Sequence, residues 1–162
     1  MKELTQVRDA VVDAFCEAGL TAMTAFPAER AKRYIRPVAT VSVGAVEGHV
    51  LGFCNYLGEV FDGGTVRELY GKQLEGDIVV EIRAEQAADC ERGCETAADV
   101  LMGKLPVGIR PGELRWEAIV WEKATGMFLR KGCLRCQAVF IAVEQEDETA
   151  FLDFILKGVM HK

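Results

Sequence analysis

Ile78-Val79-Val80-Glu81-Ile82-Arg83-Ala84-Glu85 runs directly into Gln86-Ala87-Ala88-Asp89-Cys90-Glu91-Arg92-Gly93-Cys94-Glu95-Thr96-Ala97-Ala98-Asp99-Val100-Leu101. In the first half Ile78, Val80, Ile82 and Ala84 alternate with Val79, Glu81, Arg83 and Glu85, the period-two pattern of a half-buried strand. In the second half the period changes. Ala87, Cys90, Cys94, Ala97, Ala98 and Leu101 recur at helical spacing, which predicts a helix over 86–102 that Gly103 and Pro106 end. A strand feeding a helix in this way sets the class of the fold, and the flanking sequence repeats the same two signals.

Upstream, Leu4, Val7, Val11, Ala14, Phe15 and Ala18 form one apolar stripe, predicting a helix over 2–18 with Gly19 at its left-handed C-terminal cap. Leu20 to Pro27 reads as extended chain followed by a turn, and Ala28 to Tyr34 as a charged helical turn or loop. Pro37 opens a strand in which Ala39, Val41, Val43 and Ala45 alternate with Thr40, Ser42 and Gly44. Glu47 to Gly64 is glycine-rich and holds Phe53, Tyr56 and Phe61. Its Asp62-Gly63-Gly64 is a turn signal, so a long hairpin arm or an ordered insertion both fit. Thr65 to Glu85 reads as two strands broken at Glu75-Gly76-Asp77.

Downstream, Leu114, Trp116, Ala118 and Val120 share one strand face, with Arg115, Glu117, Ile119 and Trp121 on the other. Leu134, Cys136, Ala138, Phe140 and Ala142 form the next strand, Glu144 to Glu148 a solvated acidic loop, and Phe151 to Lys157 a last strand. The expectation is one domain over 1–162. Its class is α+β: a mainly antiparallel central sheet flanked by two helices, with an extended hairpin or loop around residues 47–66.

Composition narrows the function. Half of the 162 residues are hydrophobic and 19 basic residues face 25 acidic ones, a formal charge of −6. Binding nucleic acid through phosphate neutralisation needs a basic patch. Here bases are interleaved with acids, as in Glu29-Arg30-Ala31-Lys32-Arg33, so a DNA-binding surface is disfavoured. No export signal and no stretch of about 18 apolar residues is read, so no membrane partner is expected. In that setting Cys16, Cys54, Cys90, Cys94, Cys133 and Cys136 should be reduced thiols.

Candidate chemistry is sparse. Cys90-x3-Cys94 with Cys133-x2-Cys136 offers four thiolates, the donor set of a structural zinc site. Against this, Cys90 and Cys94 lie on a stripe of small core residues, where buried thiols are ordinary. Cys133 and Cys136, three apart on a strand, face opposite ways. A redox role for Cys133-Leu134-Arg135-Cys136 lacks the helix N-terminus that activates such a pair. His49 could serve as a general base only with a partner the sequence does not identify, and His161 lies in the C-terminal tail. No nucleophile elbow, phosphate loop or dinucleotide fingerprint is present. The sequence therefore assigns no catalytic residue, no cofactor and no metal, and an enzyme is the weaker reading. Trp116 and Trp121, five apart, are expected on opposite faces of one strand. Phe53, Tyr56 and Phe61 either form an interaction element or pack back on their own domain.

Taken in order, the layout resembles phage tail terminator and tail-completion proteins of bacterial prophages. The resemblance rests on the N-terminal helix from Leu4 to Ala18, Arg36-Pro37 opening a valine-rich strand, and the stretch from Arg67-Glu68-Leu69-Tyr70-Gly71 to Ile82. It extends to the helix holding Gly93-Cys94 and to the closing Phe151-Leu152-Asp153-Phe154-Ile155-Leu156-Lys157-Gly158. It implies a chain without catalytic residues that assembles with itself into a ring, commonly hexameric, which caps the tail tube and joins it to the neck. Such a protein would meet its partners in the bacterial cytoplasm and end in the virion tail. A negative lumen would let DNA slide without sticking.

Overall fold

In the computed structural model, which describes residues 2–27, 33–144 and 153–158, the chain is a mixed α/β fold with a mostly antiparallel sheet and two helices. The elements in order are α1 (Lys2–Glu17), β1 (Thr21–Met23), β2 (Val38–Val50), β3 (Tyr56–Asp62), β4 (Thr65–Ala84), α2 (Ala87–Gly103), β5 (Ile109–Trp116), β6 (Val120–Glu122), β7 (Met127–Val143) and β8 (Ile155–Leu156). The sheet order is β1-β2-β4-β7-β5, with β3 also on β4 and with β6 and β8 also on β7. Only β1 against β2 is parallel.

The two long strands β4 and β7 form the spine, paired without interruption from Leu69 opposite Val143 to Ala84 opposite Phe128. Shorter pieces complete the columns on either side. β2 and then β3 run the same way along one edge of β4. β8, β5 and β6 follow one another along the outer edge of β7. Where β8 meets β5, Val139 donates its N–H to the carbonyl of Gly108 and Lys157 donates to the carbonyl of Val139. The chains approach so closely there that a Cβ on Gly108 would overlap the carbonyl oxygen of Lys157.

Both helices pack on one face of the sheet. Val7, Val11 and Phe15 of α1 and Cys90, Cys94, Ala97, Val100 and Leu101 of α2 join one core. Its sheet side is Ala39 and Val41, Ile78, Val80, Ile82 and Ala84, and Leu134, Cys136, Ala138 and Phe140. These are alternate residues of each strand, as a one-sided core demands. α2 approaches closely at Gly93, where a Cβ would stand 2.8 Å from Pro37 and 2.9 Å from Ile82. α1 ends at Gly19 (φ 88°), with Gly19 N–H on Cys16 and Leu20 N–H on Phe15, the paired bonds of a Schellman cap. Its start is fastened to the last element: Gln6 donates to the Phe154 carbonyl and accepts from the Leu156 N–H, both at 2.8 Å.

Three expectations change. Glu75-Gly76-Asp77 does not break the chain: β4 is one strand of 20 residues. The register of β2 shifts between Val43 and Val46, and a Cβ on Gly76 would sit 2.7 Å from the Ala45 carbonyl, so the glycine accommodates a bulge rather than a turn. The tryptophan strand is two strands. Trp116 ends β5 and packs on the core over Gly132, whereas Trp121, in β6, is 56% exposed and meets Phe128 edge-on. The strand expected over Phe151 to Lys157 is regular only at Ile155–Leu156, and residues 151–152 lie outside those described, as do 28–32, 145–148 and His161. The two helices lie on one face of the sheet.

Candidate functional site

The other face of the sheet is polar and largely self-satisfied. Along it Arg135 pairs with Glu75 (3.2 Å) and Asp77 (3.5 Å), and Lys131 pairs with Glu81 (3.4 Å). At one end Arg83, 7% exposed, donates to Glu122 at 2.8 and 3.2 Å, lies 2.9 Å from Glu81, and stacks over Phe26. Burial alone would push the Arg83 pKa down, but its two carboxylate partners outweigh that and hold it charged. The same Arg83 hydrogen bonds, with one from Thr125, hold the Glu122 carboxyl below the usual range against its partial burial.

The residues singled out for chemistry are dispersed over this frame. His49 lies on the polar face, 3.8 Å from Glu75 and 47% exposed, and lines none of the main surface cavities. Cys90 and Cys94 are buried on α2, where the Cys94 thiol donates to Cys90. This lowers the Cys90 pKa, with help from Arg130, and raises that of Cys94. Cys136 is buried on the helix side of β7, its thiol pushed up to about 11 by burial. Cys133 has the opposite parity and faces the polar side. The four sulfurs therefore do not converge, and among the described residues no three His, Cys, Asp or Glu side chains gather as a metal would require. No described helix is long and apolar enough to cross a membrane.

What the sequence left least legible is the part of the surface richest in exposed apolar side chains. The 47–64 segment completes a hairpin arm. β2 ends at Val50 and the chain leaves the ladder over 51–55, with Gly52 (φ 59°), Cys54 (51°) and Asn55 (66°) in left-handed conformations. It returns as β3 along the same edge of β4. Asn55 ties the excursion down: its side chain accepts the Leu51 N–H at 3.1 Å and its carbonyl accepts the Gly71 N–H at 2.8 Å. Opposite, Gly71 lies close under the Leu57 side chain, which a Cβ there would displace. At the tip Gly63 and Gly64, at φ 58° and 87°, make the two-residue turn whose twist suits a hairpin. β7 pairs β4 only as far as Leu69, so Thr65 to Glu68 and the facing part of β3 from Glu59 extend past that ladder.

This arm is apolar where it should be solvated. Of twelve large hydrophobics exposed among the described residues, six lie in it: Val50, Phe53, Tyr56, Leu57, Phe61 and Val66. Exposed apolar side chains are ordinarily scattered singly over a surface. Cross-strand pairs order one side of the arm into a stripe: Phe61 opposite Val66, Glu59 opposite Glu68, and Tyr56 edge-on to Tyr70. Like charges directly opposite are unfavourable. The Tyr70 hydroxyl relieves this in part by donating to Glu68, a bond that pushes the Tyr70 pKa up to about 12. Aromatic clustering in the sequence pointed to the arm. The Glu59–Glu68 pairing was hidden because it depends on register. No protein-family model and no curated protein matches the chain.

Proposed function

We propose that this chain is a structural phage tail protein of the terminator or completion type, which assembles with copies of itself into a ring at the end of the tail tube and joins it to the neck. The observation that carries the reading is the projecting arm, with Phe53 85% and Phe61 81% exposed. An apolar element held clear of its own core is best explained by a surface on another subunit that covers it. The layout of an amphipathic helix, a valine-rich strand, a long central strand and a second helix, on which the family resemblance rests, supports the same reading. So does the charge of −6, which would keep a lumen from holding DNA phosphates.

The test is imaging. Purified protein is examined by light scattering and negative stain, and phage particles are labelled with an antibody to the chain. Rings in solution and label confined to the tail end are expected. Particles that carry no label at the tail would overturn the assignment.

A further inference from the structure

The arm lies at one end of the molecule, and a feature of opposite character lies at the other. β4 runs unbroken from Thr65 at the arm to Ala84. At about 3.3 Å per residue its 20 residues span about 60 Å. Just past that far end, next to the start of β2, a groove of about 280 Å³ opens between the end of α1, residues 35–37 and the first turns of α2. Ile35 stands on it 95% exposed. Arg36 and Arg92 line it, with Asp89 as its acid, which pairs with Arg92. Arg36 has no ion-pair partner among the described residues. At the arm, residues 47–68 contain four acids and one arginine, Arg67, which alternates on β4 with Val66 and Glu68, and Glu59 has no ion-pair partner among the described residues.

We propose that the stripe on the arm of one copy docks into the Ile35–Arg36–Arg92 groove of a second copy, joining copies head to tail. This deepens the ring assignment above and rests on it. Apolar Phe61 and Val66 meet Ile35, while Glu59 and Glu68, unfavourably opposed in the free chain, receive arginine. The molecule cannot satisfy itself, because its continuous spine holds the two surfaces apart. Two different patches meeting on successive copies make a heterologous contact, which closes into a ring or extends as a filament. Complementary charge also fixes the register of such a contact.

Two exposed-residue variants test it: an arm variant, Glu59→Lys with Phe61→Ser, and a groove variant, Ile35→Ser with Arg36→Glu. Matching circular dichroism and urea midpoints establish that both fold as the wild type does. Each variant alone should associate at least about tenfold more weakly than wild type in sedimentation velocity. Mixed in equal amounts, they should form a one-to-one dimer and stop there, since one good arm meets one good groove. A groove variant that still assembles would mean that arms pair with arms, and the proposal fails. It fails equally if the wild type is monomeric, or if neither variant shifts its mass. In that last case rings at tail ends would still uphold the broader function, so the two failures are distinguishable.

Discussion

Gly108 is the position at which one methyl group matters most. Its Cβ would overlap the Lys157 carbonyl, a backbone atom that cannot step aside without opening the β8 junction. Gly108→Ala should therefore cost about 1–3 kcal/mol, the range for forcing atoms into a packed site, read as a lower urea midpoint. Gly103→Ala, with open space around it, should leave the midpoint unchanged or slightly raised. Arg83→Met is expected to cost about 2 kcal/mol, because it removes charge-assisted hydrogen bonds from Glu122. The pH dependence gives the sign. A carboxyl held below its ordinary value of 4.5 adds stability above that value, and the contribution disappears as pH falls through the folded pKa. Wild type should thus lose more stability than the variant between neutral pH and pH about 3. At the other extreme, the Tyr70 phenol should titrate near 12 by ultraviolet absorbance and move toward its usual 10 in Glu68→Gln. Of these residues only the glycines were visible as glycines. Glu81 and Arg83 looked like one more solvated strand face, because the sequence does not say that Phe26 and Glu122 come to cover Arg83.

Elements were legible where period is local. Both helices fall within a residue or so of where their stripes placed them, and Leu134 to Ala142 is buried on alternate positions, as its sequence spells out. What failed was punctuation. Gly76 reads as a turn because glycine is the same residue whether it turns the chain or lies beside a bulge, and only the partner strand decides. The 51–55 excursion was equally closed to reading, since it takes its shape from Asn55 bonding across to Gly71. For the arm this geometry has a dynamic consequence. Beyond Leu69 its strands pair with each other, with Glu68 also bonded to Glu144, and no core residue lies among them. Amides of 57–62 and 65–68 should exchange at least tenfold faster than those of 78–82 in the isolated protein, measured by hydrogen exchange with mass spectrometry.

For the whole molecule, surface chemistry is divided between ends: apolar and acidic at the arm, apolar and basic at the groove. If opposite charge contributes to the contact, association should weaken in about 1 M salt, where screening acts over about 3 Å, and recover on dilution of the salt. Sedimentation at two ionic strengths reads this directly. An assembly held by apolar area alone would instead tighten. This division was not legible in advance, since a net charge of −6 says nothing about where the charges sit.

One contact also bears on how the protein is made. Gln6 fastens α1 to β8 across 150 residues of sequence. At about 5–20 residues per second, the helix leaves the ribosome roughly 8–30 s before the strand that seals it. Through that interval Val7, Val11 and Phe15 have the neighbouring strands only as these are synthesised, and Leu156 cannot yet fill its place. Translation speed between these two points of the message thus sets how long an unfinished core is open to chaperones and to other nascent copies.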